Sequence, residues 1–397
     1  MSILKVQKIR HTASNTDVFD IASDGTCTAN ISSVSGGQIG GRNMIVNGSM
    51  QCNQRGNATG LSSSAYVLDR FKLGVSNLGT YSVSQLEGSD ELINTGQRNS
   101  MKVDCTTADA SPAAADLVFI QTRLEGLVTN RLCWGTSNAK KAVLSFWAKA
   151  DINGWSSGTK DFVVEIQASD SQEFSVVCQL TTAGTWQKFT VPIDAKTSGA
   201  IAYDNTESMA INWWLDAGSD WKGGTGVTGW AAKGTGGVRA AGQTLALGAH
   251  TDNNFYLTGV QFELNDTGVA SDFEHRSYAQ ELALSQRYYY KLSAGGGGSL
   301  IHTNSLQYYA GNEFFGCVLN LPVVMRTKPT AGLDGTAHPW TANGSYNGSF
   351  TSLSLNRNSV QSLGTNGTQT SGNSGSAGNA TVITLSGDAF LYADAEL

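Results

Sequence analysis

Hydrophobic and polar positions alternate with a period of two through most of the chain between residues 42 and 276. SMKVDC, DLVFIQTRL, KAVLSFWAKA, KDFVVEIQAS, EFSVVCQL, TWQKFTVP, SMAINWWLD and NNFYLTGVQFEL all follow it, separated by clusters of Gly, Asn, Asp and Ser. This alternation marks strands with one buried face. Regular strands without intervening helical patterns predict an antiparallel β-sandwich of the jelly-roll kind. In KAVLSFWAKA, Val143, Ser145 and Trp147 share one face, and Leu144 and Phe146 the other.

The period changes at Ser277. Ser277 and Gln280 have the spacing of a capping box, and Tyr278, Leu282, Leu284, Tyr288 and Tyr289 recur at helical intervals. The pattern predicts a short helix over SYAQELALSQRYYYKL, then a glycine-rich joint at 293–298. Strand patterns resume in SLQYYAGNEFFGCVLNLPVVM, FTSLSLN and NATVITLSGDAFLYADAEL. Between them, 361–380 has a composition that by itself predicts disorder.

Residues 1–41 hold two short strand-like pieces, SILKVQKI and DVFDIASDGTCTANI, before SSVSGGQIGG. A leader this short is expected to lack strand partners of its own and to be held by other chains. The chain is therefore read as an arm (1–41), a sandwich (42–276), a helix and linker (277–298) and a β-rich distal domain (299–397). The fold class is all-β.

Composition sharpens this picture. Charged residues are 15% of the 397, against ~25% in average globular proteins, and there are 46 glycines. Short strands joined by turns fit that balance better than helices with salt-bridged faces. A net charge of −6 without a Lys/Arg cluster argues against a nucleic-acid reader. The opening residues lack the apolar core of a secretory signal, and no apolar run is long enough to span a membrane. Cys27, Cys52, Cys105, Cys133, Cys178 and Cys317 form no CxxC pair and no metal-ligand spacing with a histidine, so most of them read as small apolar core residues.

Nine tryptophans are the main candidates for chemistry. Sugars offer a C–H face that aromatic rings dock and a hydroxyl rim that polar side chains bond. Trp147, Trp186 and Trp213 sit within strand patterns and read as core. Trp155, Trp214, Trp221, Trp230 and Trp340 lie in or beside loops and, with Asp216 and Tyr346, are the candidate glycan-binding residues; packing at a subunit interface is the rival explanation. Asp216, Asp220, Glu165 and Glu173 are the acids that a paired-carboxylate hydrolase would draw on, but their spacing offers nothing further. GWSSG, at 154–158, matches a nucleophile elbow by letters only, because a turn and a strand follow it. GxGxxG within GGTGVTG lacks a βαβ setting. DING and HTDNN are oxygen-rich turns at which structural calcium is the alternative to Asx bonding. No cofactor and no other metal is predicted.

MSILKVQKIRHTAS, RNMIVNGSMQCNQRG, AYVLDRFKL, LSFWAKA and FYLTGVQFELNDTGVASDFEHRSYAQELALSQRYYYKL together resemble a family of bacteriophage virion proteins. These are tail or head fibres, frequent in phages of marine bacteria, whose jelly-roll domain is similar to carbohydrate-binding modules. The resemblance spans roughly 1–292, and GVQFE…FEHRSYAQELALSQRYYYK is its most specific part. It implies a homotrimer made in the bacterial cytoplasm and built into the virion. It also implies tail or capsid proteins as partners and host surface polysaccharide as ligand. The arm would attach to the particle, with Lys5, Lys8, Arg10, Phe19 and Ile21 as its contact residues. From Gly335 to Gly387 the only formally charged residue is Arg357, a neutral surface suited to a fibre tip. The expectation is a non-enzymatic adhesin. A structural or decoration protein without a ligand and a polysaccharide depolymerase are the alternatives.

Overall fold

The computed structural model describes residues 41–293, except 228 and 235–238. It also describes 8–10, 17–21, 23, 27–29, 306–310, 313–334, 337–341, 353–354, 358–368, 380–385 and 389–397. Outside 41–293, strand side chains are described only in 319–334, 358–363 and 389–397.

Three short strands, β1 (Lys8–Arg10), β2 (Asp17–Ile21) and β3 (Cys27–Ala29), pair antiparallel with one another. This corrects the expectation that the leader lacks partners of its own: its strands pair with one another, setting Lys8 opposite Asp20 and Phe19 opposite Ala29. Lys8, Arg10, Phe19 and Ile21 lie on these strands, and Lys5 lies outside the described residues.

The sandwich is one curled antiparallel sheet of eleven strands. They are β4 (Ala58–Leu68), β5 (Phe71–Glu87), β6 (Asn99–Thr107), β7 (Leu117–Glu125), β8 (Ala142–Asp151), β9 (Lys160–Ala168), β10 (Gln172–Leu180), β11 (Gln187–Ile193), β12 (Glu207–Ala217), β13 (Ala231–Ala232) and β14 (Asn254–Leu264). They follow the order β11-β8-β14-β6-β5-β7-β12-β9-β10-β13, with β4 beside β5. Strand β5 joins the two layers. Its first half pairs with β7 and its second with β6. The bend falls at Asn77–Gly79, where Asn77 and Gly79 have φ of 54° and 69°. A Cβ on Gly79 would lie 2.3 Å from the Thr107 carbonyl oxygen, so only glycine fits the corner.

The layers meet through interlocked aromatic rings. Phe146 of β8 stands edge-on to Trp213 of β12 at 5.8 Å, and Phe162 of β9 to Phe255 of β14 at 5.4 Å. Both tryptophans of INWWLD are fully buried, on opposite faces. Trp213 belongs to the main core. Trp214 belongs to a smaller outer one with Val163, Ala217 and Ala240, beneath the segment that follows β12. Cys52, Cys105 and Cys178 are buried free thiols, as predicted for core residues, whereas Cys133 is half-buried.

The helix α4 (Tyr278–Gln286) carries the predicted capping box, with both Ser277 and Gln280 side chains engaged. It follows three single-turn helices, α1 (Asp90–Ile93), α2 (Gly126–Thr129) and α3 (Ser219–Lys222). The expected span of α4 is too long. The helix stops at Gln286, and Tyr289–Ser293 forms β15. Its buried residues are Glu281 and Ser285, while Tyr278 and Leu284 are exposed. The spacing of the aromatic run suits a helix, but a tyrosine triplet also suits a strand, and a partner strand decides the matter.

That partner is β23 (Phe390–Asp394), which pairs with β15 on one edge and with β18 (Thr330–Asp334) on the other. Leu321, Met325, Leu363, Leu391 and Ala393 form its core. Residues 389–397 thus return to the sandwich: Tyr66 Oη donates to Leu397 O at 2.8 Å and Arg123 Nη1 at 3.0 Å. The remaining sheet contains β16 (Leu306–Ala310), β17 (Glu313–Asn320), β19 (Ala337–Thr341), β20 (Leu353–Ser354), β21 (Ser362–Thr368) and β22 (Ala380–Leu385). Strand β21 lies inside the segment expected to be disordered, because its pairing with β17 supplies what its composition lacks.

The two ends of the resemblance motif clasp each other. Asn43 Nδ2 donates to Val260 O at 3.0 Å, and Asn43 Oδ1 accepts from Phe262 N at 3.1 Å. Glu274 accepts from the Gly41 and Asn43 amides, Glu281 accepts from the Asn47 amide, and Arg276 donates to Asn43 O and Ile45 O. These polar residues are buried because they satisfy the irregular backbone at 41–48.

Candidate functional site

The loop tryptophans singled out from the sequence serve mainly to hold loops down. Trp214 is 0% exposed, and its Nε1 donates to Glu165 Oε2 at 2.7 Å. Asp216 is 1% exposed and accepts from the Ala217 and Gly248 amides at 2.8 and 3.1 Å. Neither reaches the surface, which corrects their assignment to a surface site: the outer face of β12 is roofed by the segment after it. Trp221, on α3, packs on Trp214 and donates to Ala115 O at 3.0 Å. Trp230 packs edge-on against Trp134 and donates to Asp194 O at 2.8 Å. Trp155 donates to Gly158 O at 3.2 Å. Trp221, Trp230 and Trp155 are half-buried with their N–H groups already paired, so each supports its own loop. The side chain of Trp340 and the whole of Tyr346 lie outside the described residues.

Beneath the same roof lies an acidic pair. Glu165 and Glu173 are both 0% exposed and face each other closely enough for each charge to disfavour the other. Arg239 Nε and Nη2 donate to Glu165 at 2.8 and 3.2 Å, and Gln167, Asn212 and Trp214 donate to it as well. Glu173 accepts the Gly234 amide at 3.2 Å, and its Oε2 has no hydrogen-bond partner but lies 4.0 Å from Arg239 Nε. Burial, reinforced by Glu165, pushes the Glu173 carboxyl up to about 7, while the Gly234 amide and Arg239 oppose the rise. Its ordinary unfolded value is ~4.3, so between about pH 4 and 7 the folded state holds the extra proton and stability falls as pH rises. Glu173→Gln, neutral throughout, should therefore gain melting temperature relative to the wild type as pH is raised from 4 to 8. Parallel pH profiles of thermal unfolding would refute this account of Glu173.

The better candidate lies on the opposite layer. The outer faces of β8, β11 and β14 carry Ser145, Trp147, Lys149, Lys188 and Tyr256. Trp147 is opposite Lys188 on one side and Thr258 on the other. It is half-buried, and cavities of 290 and 280 Å³ flank it, each just below the ~300–1,000 Å³ typical of small-molecule sites. The first cavity also has Trp186, Glu91, Asn94 and Thr185 in its wall, and the second Gln97, Ser145, Ser271 and His275. Trp186 lies edge-on to Tyr256 at 6.1 Å, and Lys149 Nζ sits 4.4 Å from the Tyr256 ring and 3.8 Å from Glu91 Oε2. A β-bulge at Gly259, with φ 61°, makes room for the indole: a Cβ there would come within 3.0 Å of Trp147 Cδ1. The reading of Trp147 and Trp186 as core is thereby corrected. Both stand on the solvent side of the layer, where aromatic faces sit beside hydroxyls and amides.

The two oxygen-rich turns come together elsewhere. Asn153 N donates to Asn253 Oδ1 at 2.8 Å, and Asn153 Nδ2 to Asp252 Oδ2 at 3.3 Å. Among the described residues, no group of three or more His, Cys, Asp or Glu is placed to hold a metal, and no helix is long and apolar enough to cross a membrane.

Compared with protein-family models and with curated proteins, the chain matches none. Among solved structures it is similar to the enzymatically active domain of tailspike protein 4 of bacteriophage CBA120, at 13% identity and a TM-score of 0.27, over 56% of this chain and 21% of that one. It is also similar to the family 11 carbohydrate-binding module of Clostridium thermocellum in complex with a mixed-linked tetrasaccharide, at 13% identity and 0.24, over 52% and 95%. A third is the xylan-binding domain from Paenibacillus barcinonensis, at 10% identity and 0.25, over 56% and 94%. The chain spans between about a fifth and a little over a quarter of the length of the first three solved structures it matches.

Proposed function

We propose that the sandwich is a glycan-binding module and that the groove on either side of Trp147 is its binding face. The observation that carries this is a half-buried indole on the outer face of a rigid sheet, with a polar cavity on each side. Rings of that kind dock the C–H face of a sugar while flanking hydroxyls and amides bond its rim. Strands hold such a site in place better than loops do.

We place this module on a virion fibre, on the strength of the motif resemblance from MSILKVQKIRHTAS to the closing helix. Single sugar contacts are weak, and several copies on one particle raise avidity by ~10²–10⁴ where geometry permits. The proposed role is adhesive, not hydrolytic. Of the four acids that a hydrolase would draw on, Glu165, Glu173 and Asp216 are sealed in the other layer. Affinity electrophoresis in gels of mixed-linkage β-glucan, xylan, β-1,4-galactan and alginate tests the reading. Retardation by at least one polysaccharide without release of reducing ends is expected. Retardation by none contradicts binding, and released reducing ends contradict the non-enzymatic role.

A further inference from the structure

We infer that Gln97 sets the specificity of the second cavity for a neutral sugar unit with a free hydroxyl. This rests on the glycan reading of the groove. Gln97 is 3% exposed and its side chain lines the cavity beside Trp147, yet its Oε1 is buried without any hydrogen-bond partner. Its backbone amide donates to Thr95 Oγ1 at 3.3 Å, and a Cβ at Gly259 would lie 3.4 Å from Gln97 Cγ and Cδ, so the side chain borders the glycine.

A buried amide oxygen left unpaired destabilises the free protein. Native proteins carry few such groups, and one in a cavity wall calls for a partner that arrives from outside. In the free protein the oxygen faces away from the groove, so a hydroxyl pairs with it only once the amide turns. An amide oxygen that no bond holds turns readily about χ3, a broad torsion, so it can swing toward an incoming group. Either end of the amide can face the cavity, because one accepts and the other donates. A hydroxyl both donates and accepts, so it satisfies either end, whereas a methyl ether can only accept. Lys188 and Asp272 bring opposite charges to the same wall, so a neutral unit suits the cavity better than a uronate.

Gln97→Met tests this, since it removes the polar group at similar length. If the amide is reserved for ligand, the free protein keeps or gains melting temperature, because no existing bond is lost. Affinity for native β-glucan, xylan or galactan, whichever binds the wild type, should fall roughly tenfold or more. On the fully O-methylated form of the same polysaccharide, wild type and variant should differ by less than about threefold, because no hydroxyl is left to donate to Oε1. Unchanged affinity for the native polysaccharide, a lowered melting temperature or stronger binding to alginate would overturn the proposal. Trp147→Ala separates the two readings. Binding that survives Trp147→Ala sinks the groove itself; binding lost with Trp147→Ala but kept in Gln97→Met sinks only the role of Gln97.

Discussion

Arg70→Met is expected to cost about 3–5 kcal/mol of stability and to lower the melting temperature by on the order of 10 °C. Arg70 is 3% exposed and sits at φ 69° in the two-residue turn between β4 and β5. Its Nη1 donates to Glu396, its Nη2 donates to the Arg123 carbonyl, and its guanidinium lies 3.5 Å from the Tyr288 ring centroid. Glu396 is only 4% exposed at the side chain, and its other cation, Arg55, is 3.4 Å away. Removing Arg70 leaves a buried carboxylate half-neutralised, and that penalty dominates over any loss of attraction. Glu396→Gln in the same background should recover much of the loss, because it removes the stranded charge. Equal, additive losses in a double-mutant cycle would show that the two residues act separately. The same contacts explain why residues 389–397 pack on the sandwich: Asp394, Glu396 and Leu397 are received by Arg55, Arg70, Arg123 and Tyr66.

Trp147→Ala should abolish most glycan affinity, by about 2 kcal/mol or more, or roughly thirtyfold, while changing stability little. The indole stands outside the main core and touches the bulge at Gly259, so its loss opens surface and leaves no cavity inside the protein. The opposite pattern is expected for Trp230→Ala. That ring packs on Trp134 and Phe174 and closes the end of the core, so its truncation should destabilise the protein and leave affinity unchanged. Melting curves beside binding isotherms for the two variants distinguish packing from recognition.

Much of the fold was legible from alternation, because one-face burial leaves a period-two trace in the sequence. The capping box at Ser277 was legible for a similar reason: it is local chemistry at fixed spacing. The helix beyond Gln286 was not, since Tyr289–Ser293 becomes a strand only through pairing with residues a hundred positions later. The buried stripe of α4 was hidden too, because Glu281 is inside to satisfy the backbone at Asn47.

The site shows the same divide. The sequence placed Trp147 on the face of Ser145, and Lys149 continues that face. A tryptophan between a serine and a lysine at two-residue spacing marks the solvent side, a signal that outweighs strand membership. Trp214 misled in the opposite direction. It does leave the main core, as the adjacent pair Trp213-Trp214 requires, but a long-range roof covers it. Nothing local to INWWLD announces that roof. Gln97 could not be found from sequence, because its interest lies in a missing partner.

Hydrogen–deuterium exchange with a bound oligosaccharide of the polysaccharide that retards the wild type tests the central claim most directly. Protection confined to residues 91–97, 145–149, 184–188 and 271–275 is the predicted result. Protection at 219–234 and 239–245 with none around Trp147 would contradict it and return the binding face to the loop of Trp221 and Trp230.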